Sequence, residues 1–156
     1  MQEYHLAQVN IAKGLEPLDH TVMQDFVNST NEINAIAEAS QGFVWRLKDM
    51  DKAEQVQSLF HESNLIVNIS VWKNLEALFN YVYKSNHIAV LKRKKEWFEN
   101  IKMKHMAFWY VPKGYNPTLK DAKIRLDYLN SHGETPFAFT FKSKFSVKDA
   151  INYKTQ

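Results

Sequence analysis

The sequence predicts an α+β protein: a ferredoxin-like antiparallel sheet built in the order β-α-β-β-α-β, with an extra C-terminal helix. Three observations carry this prediction. The stretch LIVNISVW (65–72) alternates along its length as a strand does, and it is rich in β-branched residues. The run after it places Leu75, Leu78, Phe79 and Val82 at helical core spacing. Strand-like and helix-like segments then follow one another in the order of a split βαβ unit.

Taken in order, LAQVNIA (6–12) alternates between Gly14 and Pro17 on one side and the N-terminal residues on the other, and is the first strand. Asp19 is the predicted N-cap of a helix that turns Val22, Phe26 and Val27 inward. Ser29-Thr-Asn-Glu32 has the capping-box pattern, so the helix is expected to break and restart before Ile33, Ile36 and Ala37, ending at Gly42. FVWRL (43–47) is the second strand, and 48–63 is a loop with one helical turn around Val56 and Leu59. The strand 65–72 is third. Ser85 is expected to cap a second helical piece carrying Val90, Leu91, Trp97 and Phe98. HMAFWYV (105–111), closed by Pro112 and Gly114, is the fourth strand.

The extra helix starts at Thr118, with Asp121 at its third position, an apolar stripe of Leu119, Ala122, Leu126 and Leu129, and Gly133 as its stop. FAFTF (137–141) is a candidate edge strand. The chain of 156 residues is a single-domain length, divided as 1–145 with the helix 118–132 included, and 146–156 as a loosely held tail.

Composition narrows the function classes. There are no cysteines, which removes disulfides and thiolate chemistry. The six histidines (5, 20, 61, 87, 105 and 132) show no metal-ligand spacing, and four glycines form no phosphate loop. No cofactor is therefore expected. No apolar run is long enough to span a bilayer and no signal peptide is readable, so the expectation is a cytoplasmic protein without a membrane partner. The net charge of +3 gathers around Lys92-Arg-Lys-Lys95, which is read as a solvated helix face, with an anionic substrate as the alternative. Nucleic acid is not an expected partner, because no strand carries the glycine-containing aromatic pattern of an RNA-binding sheet.

Sorting the strands by face gives the candidate site. Leu65, Val67, Ile69 and Val71 suit a helix-packed core, with Ala7, Val9 and Ile11 beside them. Gln8, Asn10, Asn68, Ser70, Trp72 and Arg46 collect on the other face, which is too apolar for water and too polar for a dry core. That face is expected to be open in one chain and closed by the sheet of a second copy, with a cavity between. For the fourth strand, His105 and Trp109 are placed towards the cavity, with Met106, Phe108 and Tyr110 as the alternative.

The blocks LAQVNIA, INA (33–35), GFVWRL (42–47), NISVW (68–72), FNYVYKSNH (79–87), EWF (96–98), WYVPKGYNPT (109–118) and AFTF (138–141) recur in this order in an uncharacterised bacterial domain-of-unknown-function family of the dimeric α+β-barrel superfamily, which the chain resembles over about residues 4–142. The resemblance implies a homodimer with its sheets face to face and a pocket in each subunit. The superfamily includes antibiotic-biosynthesis monooxygenases, in which an Asn and a Trp four residues later line the pocket; Asn68 and Trp72 match that spacing.

The resulting expectation is a small-molecule-binding protein, with cofactor-independent monooxygenase chemistry on an aromatic or quinone-like substrate. Asn68, Trp72, Arg46 and His87 are the candidate catalytic residues. Asn10, Gln8, Ser70, Tyr83, His105 and Trp109 are candidate ligand contacts. In this scheme Asn68 hydrogen-bonds a phenol or quinone oxygen, Trp72 stacks on its ring, and Arg46 stabilises a phenolate. His87 would act as a neutral base at a helix N-terminus. The alternatives are a non-catalytic small-ligand binder and, ranked lower, a haem-binding or haem-degrading protein. Each residue also has a purely architectural role open to it: Asn68 pairing within the sheet, Trp72 filling an interface, Tyr83 packing.

Overall fold

Strand alternation and β-branched content place β3 at Leu65–Trp72, and the sheet is assembled around it. The computed structural model describes residues 2–48, 53–85, 92–101 and 103–155. The first strand, β1 (Tyr4–Lys13), lies at the centre, antiparallel to β3 on one side and to β4 (Met106–Pro112) on the other. The short β2 (Phe43–Arg46) borders β3, giving the order β2-β3-β1-β4. This is the order of a ferredoxin-like sheet, as the element sequence predicts.

The helices are α1 (Gln24–Ala39), α2 (Ala53–Phe60), α3 (Leu75–Lys84), α4 (Lys94–Trp97), α5 (Leu119–His132) and α6 (Val147–Asn152). A 3-10 turn at Thr21–Met23 leads into α1, capped by His20 rather than Asp19: the Val22 amide donates to His20 Nδ1 at 3.1 Å. Met23 fills the core here and Val22 stays exposed. The expected break at Ser29–Glu32 does not occur. Ser29 and Thr30 return their hydroxyls to the carbonyls of Phe26 and Val27, at 2.7 and 2.6 Å, and the helix continues through them.

The loop 48–63 holds a fuller element than one turn, since α2 buries Val56. Ser85 closes α3, its hydroxyl donating to the Tyr81 carbonyl, and the start of the helical piece it was expected to cap lies outside the described residues. Val90 and Leu91 lie outside the described residues. The C-terminal helix follows its sequence signals closely. Thr118 Oγ1 accepts from the Asp121 amide at 3.1 Å, Asp121 returns a bond to the Thr118 amide at 3.0 Å, and Gly133 ends the helix at φ +75°. FAFTF forms no strand among the described residues; it makes two isolated bridges, Phe139 with Phe108 and Ala138 with Thr135. Residues after 145 carry the capped helix α6, tied to α5 by a 2.7 Å bond between the Tyr153 and Tyr128 hydroxyls.

The two faces of the sheet are covered differently from the sequence expectation. The aliphatic face (Ala7, Val9, Ile11, Ile69, Val71) packs against α2 and α5 through Val56, Leu119, Ala122, Leu126 and Leu129. The polar and aromatic face is covered by α1, α3 and the 139–145 segment, with Ala37, Leu78 and Phe139 packed on Leu6, Trp72 and Phe108. Gln8 is 7% exposed, Ser70 6% and Trp72 0% in a single chain. The face expected to be open is therefore largely covered from within the chain, with Asn68 left exposed and Asn10 half-buried at its edge. The reason is physical. Two extra helices supply a second layer, so the aliphatic side chains mark one covered face and not the only one.

Candidate functional site

Strand register decides which side chains meet between the sheet and the α1–α3 layer. Leu6 pairs with Trp72, Gln8 with Ser70 and Asn10 with Asn68 across β1 and β3. On the other side of β1, Tyr110, Phe108 and Met106 stand opposite the same three residues. Directly opposed residues share a face, so Met106, Phe108 and Tyr110 look towards α1 and α3. Trp109 therefore belongs to the opposite core with Ala107 and Val111, and the expectation that it contacts ligand is corrected. His105 precedes the strand, where alternation no longer governs it, and it reaches the cavity rim.

In β2 a bulge places Phe43 opposite Trp72, Trp45 opposite Val71 and Arg46 opposite Ser70. An unbroken strand would send Phe43 and Arg46 to opposite faces. The bulge turns both to the cavity. Phe43 then meets Trp72 edge-on, with ring centroids 5.4 Å apart.

The cavity has a volume of about 310 Å³, at the lower end of ordinary ligand sites. Its floor is the sheet: Gln8, Asn10, Arg46, Asn68, Ser70 and Trp72, together with Phe43 and Met106. Its walls are Asn34 and Ala37 from α1, and Leu78, Tyr81, Val82 and Tyr83 from α3. Lys94 and His105 stand at the rim. Of the residues expected from the sequence, Gln8, Asn10, Arg46, Asn68, Ser70, Trp72, Tyr83 and His105 are brought together here. His87 lies outside the described residues.

Ser70 organises the floor. Its Oγ accepts from Gln8 Nε2 at 2.7 Å and from Trp72 Nε1 at 2.8 Å, so one hydroxyl fixes the amide and the indole together. Tyr81 stacks on Trp72 at 4.9 Å with the rings 25° apart. Burial pushes the Tyr81 hydroxyl up to about 12, against the opposing pull of the Arg46 charge, so it is a neutral group at pH 7. Arg46 has 20% of its side chain exposed, with its Nη2 3.7 Å from Glu38 Oε1. Its Nε is buried and has no hydrogen-bond partner among the described residues. Asn68 is exposed and Asn10 half-buried, which marks the solvent side of the cavity. Partial desolvation at the rim, then the Lys94 ammonium, hold the His105 imidazole below its ordinary pKa.

Tyr83 is 44% exposed and touches Phe79 and Phe141, so it borders the cavity from outside its stacked floor. Phe79, placed in the core by its spacing, is 41% exposed in the same cluster. Asn34, Phe43, Tyr81 and Lys94 were not among the expected site residues, and Met106 entered only with the alternative face of the fourth strand. Two had a signal in the sequence: Asn34 precedes the buried Ala37 by one turn, and Tyr81 follows the buried Leu78 by one turn. The basic run at 92–95 is a surface feature, with Arg93 paired to Glu96 at 2.8 Å and Asp25 at 3.0 Å and stacked over Trp97. Among the described residues there is no cluster of His, Asp and Glu that would hold a metal ion.

With the fold and cavity in place, the relationships of the chain can be stated. It belongs to the DUF3291 family, a domain of unknown function whose pattern matches residues 5–155. Among curated proteins, none matches this sequence. The solved structures similar in shape include these two. One is SnoaB, a cofactor-independent oxygenase from Streptomyces nogalater, at 15% identity, 74% of this chain, 96% of that chain and a TM-score of 0.42. The other is a protein of unknown function from Nitrosomonas europaea, at 11% identity, 74% of this chain, 94% of that chain and a TM-score of 0.45.

Proposed function

We propose that the chain binds a planar, oxygen-bearing aromatic molecule between its sheet and the α1–α3 layer, and that it oxidises this molecule with oxygen without a cofactor. The observation that carries the binding is the Arg46 guanidinium. Its buried Nε–H has no partner among the described residues, and it lines a cavity whose floor includes the Ser70-fixed Trp72 indole. A buried donor on a charged group is costly unless something accepts from it, and a phenolate or quinone oxygen supplies that acceptor. Trp72 and the Tyr81 ring stacked on it form a rigid aromatic wall for the ligand ring to lie beside, and Asn10, Asn34 and Asn68 offer amides to further oxygens.

The chemistry follows from the same groups. A phenolic substrate with an acidic ring methylene loses a proton, and Arg46 stabilises the resulting anion. The anion transfers electrons to oxygen, a carbon–oxygen bond forms, and the hydroperoxide loses water to leave a carbonyl. One oxygen atom enters the product and the other leaves as water. His105, held neutral at pH 7, is the candidate base at the rim, and the neutral Tyr81 hydroxyl is a candidate proton donor.

The second reading, a holder that does not turn its ligand over, is favoured by one feature. His105 is exposed at the rim, with no hydrogen bond that orients its ring among the described residues. Oxygen uptake with dihydroxyanthrone separates the readings. Uptake above the uncatalysed rate, lost in Arg46→Met, supports the oxygenase. Saturable quenching of tryptophan fluorescence without uptake supports the holder. Neither signal would remove the proposal.

A further inference from the structure

A second cavity, of about 500 Å³, lies away from the first, between the end of β4, α5 and α6. Tyr4, Tyr110, Arg125, Phe137, Ile151 and Lys154 are among its walls. Arg125 is its central charge. The guanidinium lies over the Phe137 ring, 3.6 Å from the centroid, and its Nη1 donates to the Phe137 carbonyl at 2.9 Å. That is one hydrogen bond for a group with five N–H donors, and the other nitrogens make none among the described residues.

No carboxylate stands within ion-pair distance of Arg125 among the described residues. Asp121 attracts it from further off, but that carboxylate is already engaged by the Tyr115 hydroxyl at 2.6 Å and the Thr118 amide at 3.0 Å. Burial of the guanidinium pushes its pKa down to about 10, with Asp121 and Tyr115 opposing. A half-buried cation held flat by an aromatic ring, with free donors along its edge and no contact anion, is a group prepared for one. The fork geometry matches a carboxylate bidentately, and Lys154 adds a second positive charge at the margin.

We propose that this cavity binds a small organic carboxylate with an apolar body, its oxygens on Arg125 and Lys154 and its body against Phe137 and Ile151. The site is independent of the Arg46 cavity.

The chain has three arginines, Arg46, Arg93 and Arg125, so nitrogen–proton correlation NMR of the full-length protein gives one side-chain Nε signal for each. Benzoate is the probe, with benzamide as its uncharged counterpart and inorganic phosphate as an anion without an apolar body. The expected result is a saturable benzoate shift of the Arg125 signal, with no saturable response to benzamide or phosphate. Lys154→Met should weaken benzoate binding by about two- to fivefold, the scale of an exposed charge. Arg125→Lys keeps the charge but loses the fork, and should weaken it at least about tenfold. Should Arg125→Lys fail to fold, the ligand comparison and Lys154→Met still decide the matter. A benzoate shift confined to Arg46 or Arg93, an equal response to benzamide or phosphate, or no response at all overturns the proposal.

Discussion

Replacing Ser70 with alanine tests the framework of the first cavity at its centre. The Ser70 hydroxyl accepts from both Gln8 Nε2 and Trp72 Nε1, and all three residues are buried. Its removal leaves two buried N–H groups without their acceptor. An unsatisfied buried donor costs about 1–3 kcal/mol, so Ser70→Ala should lower unfolding stability by about 2–4 kcal/mol, allowing for partial hydration from the cavity. Urea unfolding followed by tryptophan fluorescence reads this as a drop in midpoint at unchanged slope. A second substitution sharpens the test. Gln8→Met in the Ser70→Ala background removes one orphaned donor and should recover part of the loss, whereas in the wild-type background it should destabilise. A Ser70→Ala loss below about 0.5 kcal/mol, or a double variant no better than the single, refutes the view that one hydroxyl fixes both groups.

Other outcomes follow from the same geometry. Gly42 sits at φ +86°, and a methyl group there would come within 2.5 Å of the Ala77 Cβ, while Gly114 at φ +92° has open space around it. Gly42→Ala should therefore destabilise by about 1–3 kcal/mol and clearly more than Gly114→Ala in the same urea assay. Tyr81, raised to about 12, keeps its proton in the folded state while an unfolded tyrosine loses it near pH 10. Its contribution to stability is present below pH 10 and is lost as pH rises towards 12; Arg46→Met, which removes a charge that lowers this pKa, should move the last tyrosine transition of an ultraviolet titration higher still. Because the cavity is closed by helices of its own chain, aromatic-ligand affinity should not change between submicromolar and tens-of-micromolar protein; affinity that rises with protein concentration would contradict the single-chain cavity.

Much of this arrangement was legible in the residues, for reasons that differ by element. β3 could be located because its β-branched alternation is uninterrupted, and α5 because Thr118, Asp121 and Gly133 are local signals that act within one turn. Gln8, Asn10, Asn68, Ser70 and Trp72 could be grouped because a period of two leaves no other choice once the strands are known. What covers that group could not be read, since alternation separates faces without saying which helices lie on each. The aliphatic set looks the same whether α1 and α3 or α2 and α5 pack against it.

β2 shows a second limit. Its bulge reassigns Phe43 to the cavity, and nothing in FVWRL announces an extra residue between two pairings. In β4 both alternating sets are apolar or aromatic, so Trp109 and Phe108 were interchangeable until register placed Phe108 opposite Gln8. Ser29 and Thr30 satisfy a capping pattern in sequence, yet their hydroxyls bond backwards within a continuous helix. The cavity depends on long-range pairings, and its sequence traces are correspondingly partial.

The most direct test of the central claim is a structure of the chain with a hydroxyanthraquinone bound. The account predicts the ring system between the sheet and α3 of one chain, beside the stacked Trp72–Tyr81 pair, with a ring oxygen accepting from Arg46. A ligand lodged between the sheets of two chains, or bound with Arg46 still facing Glu38 and no ligand contact, would contradict it.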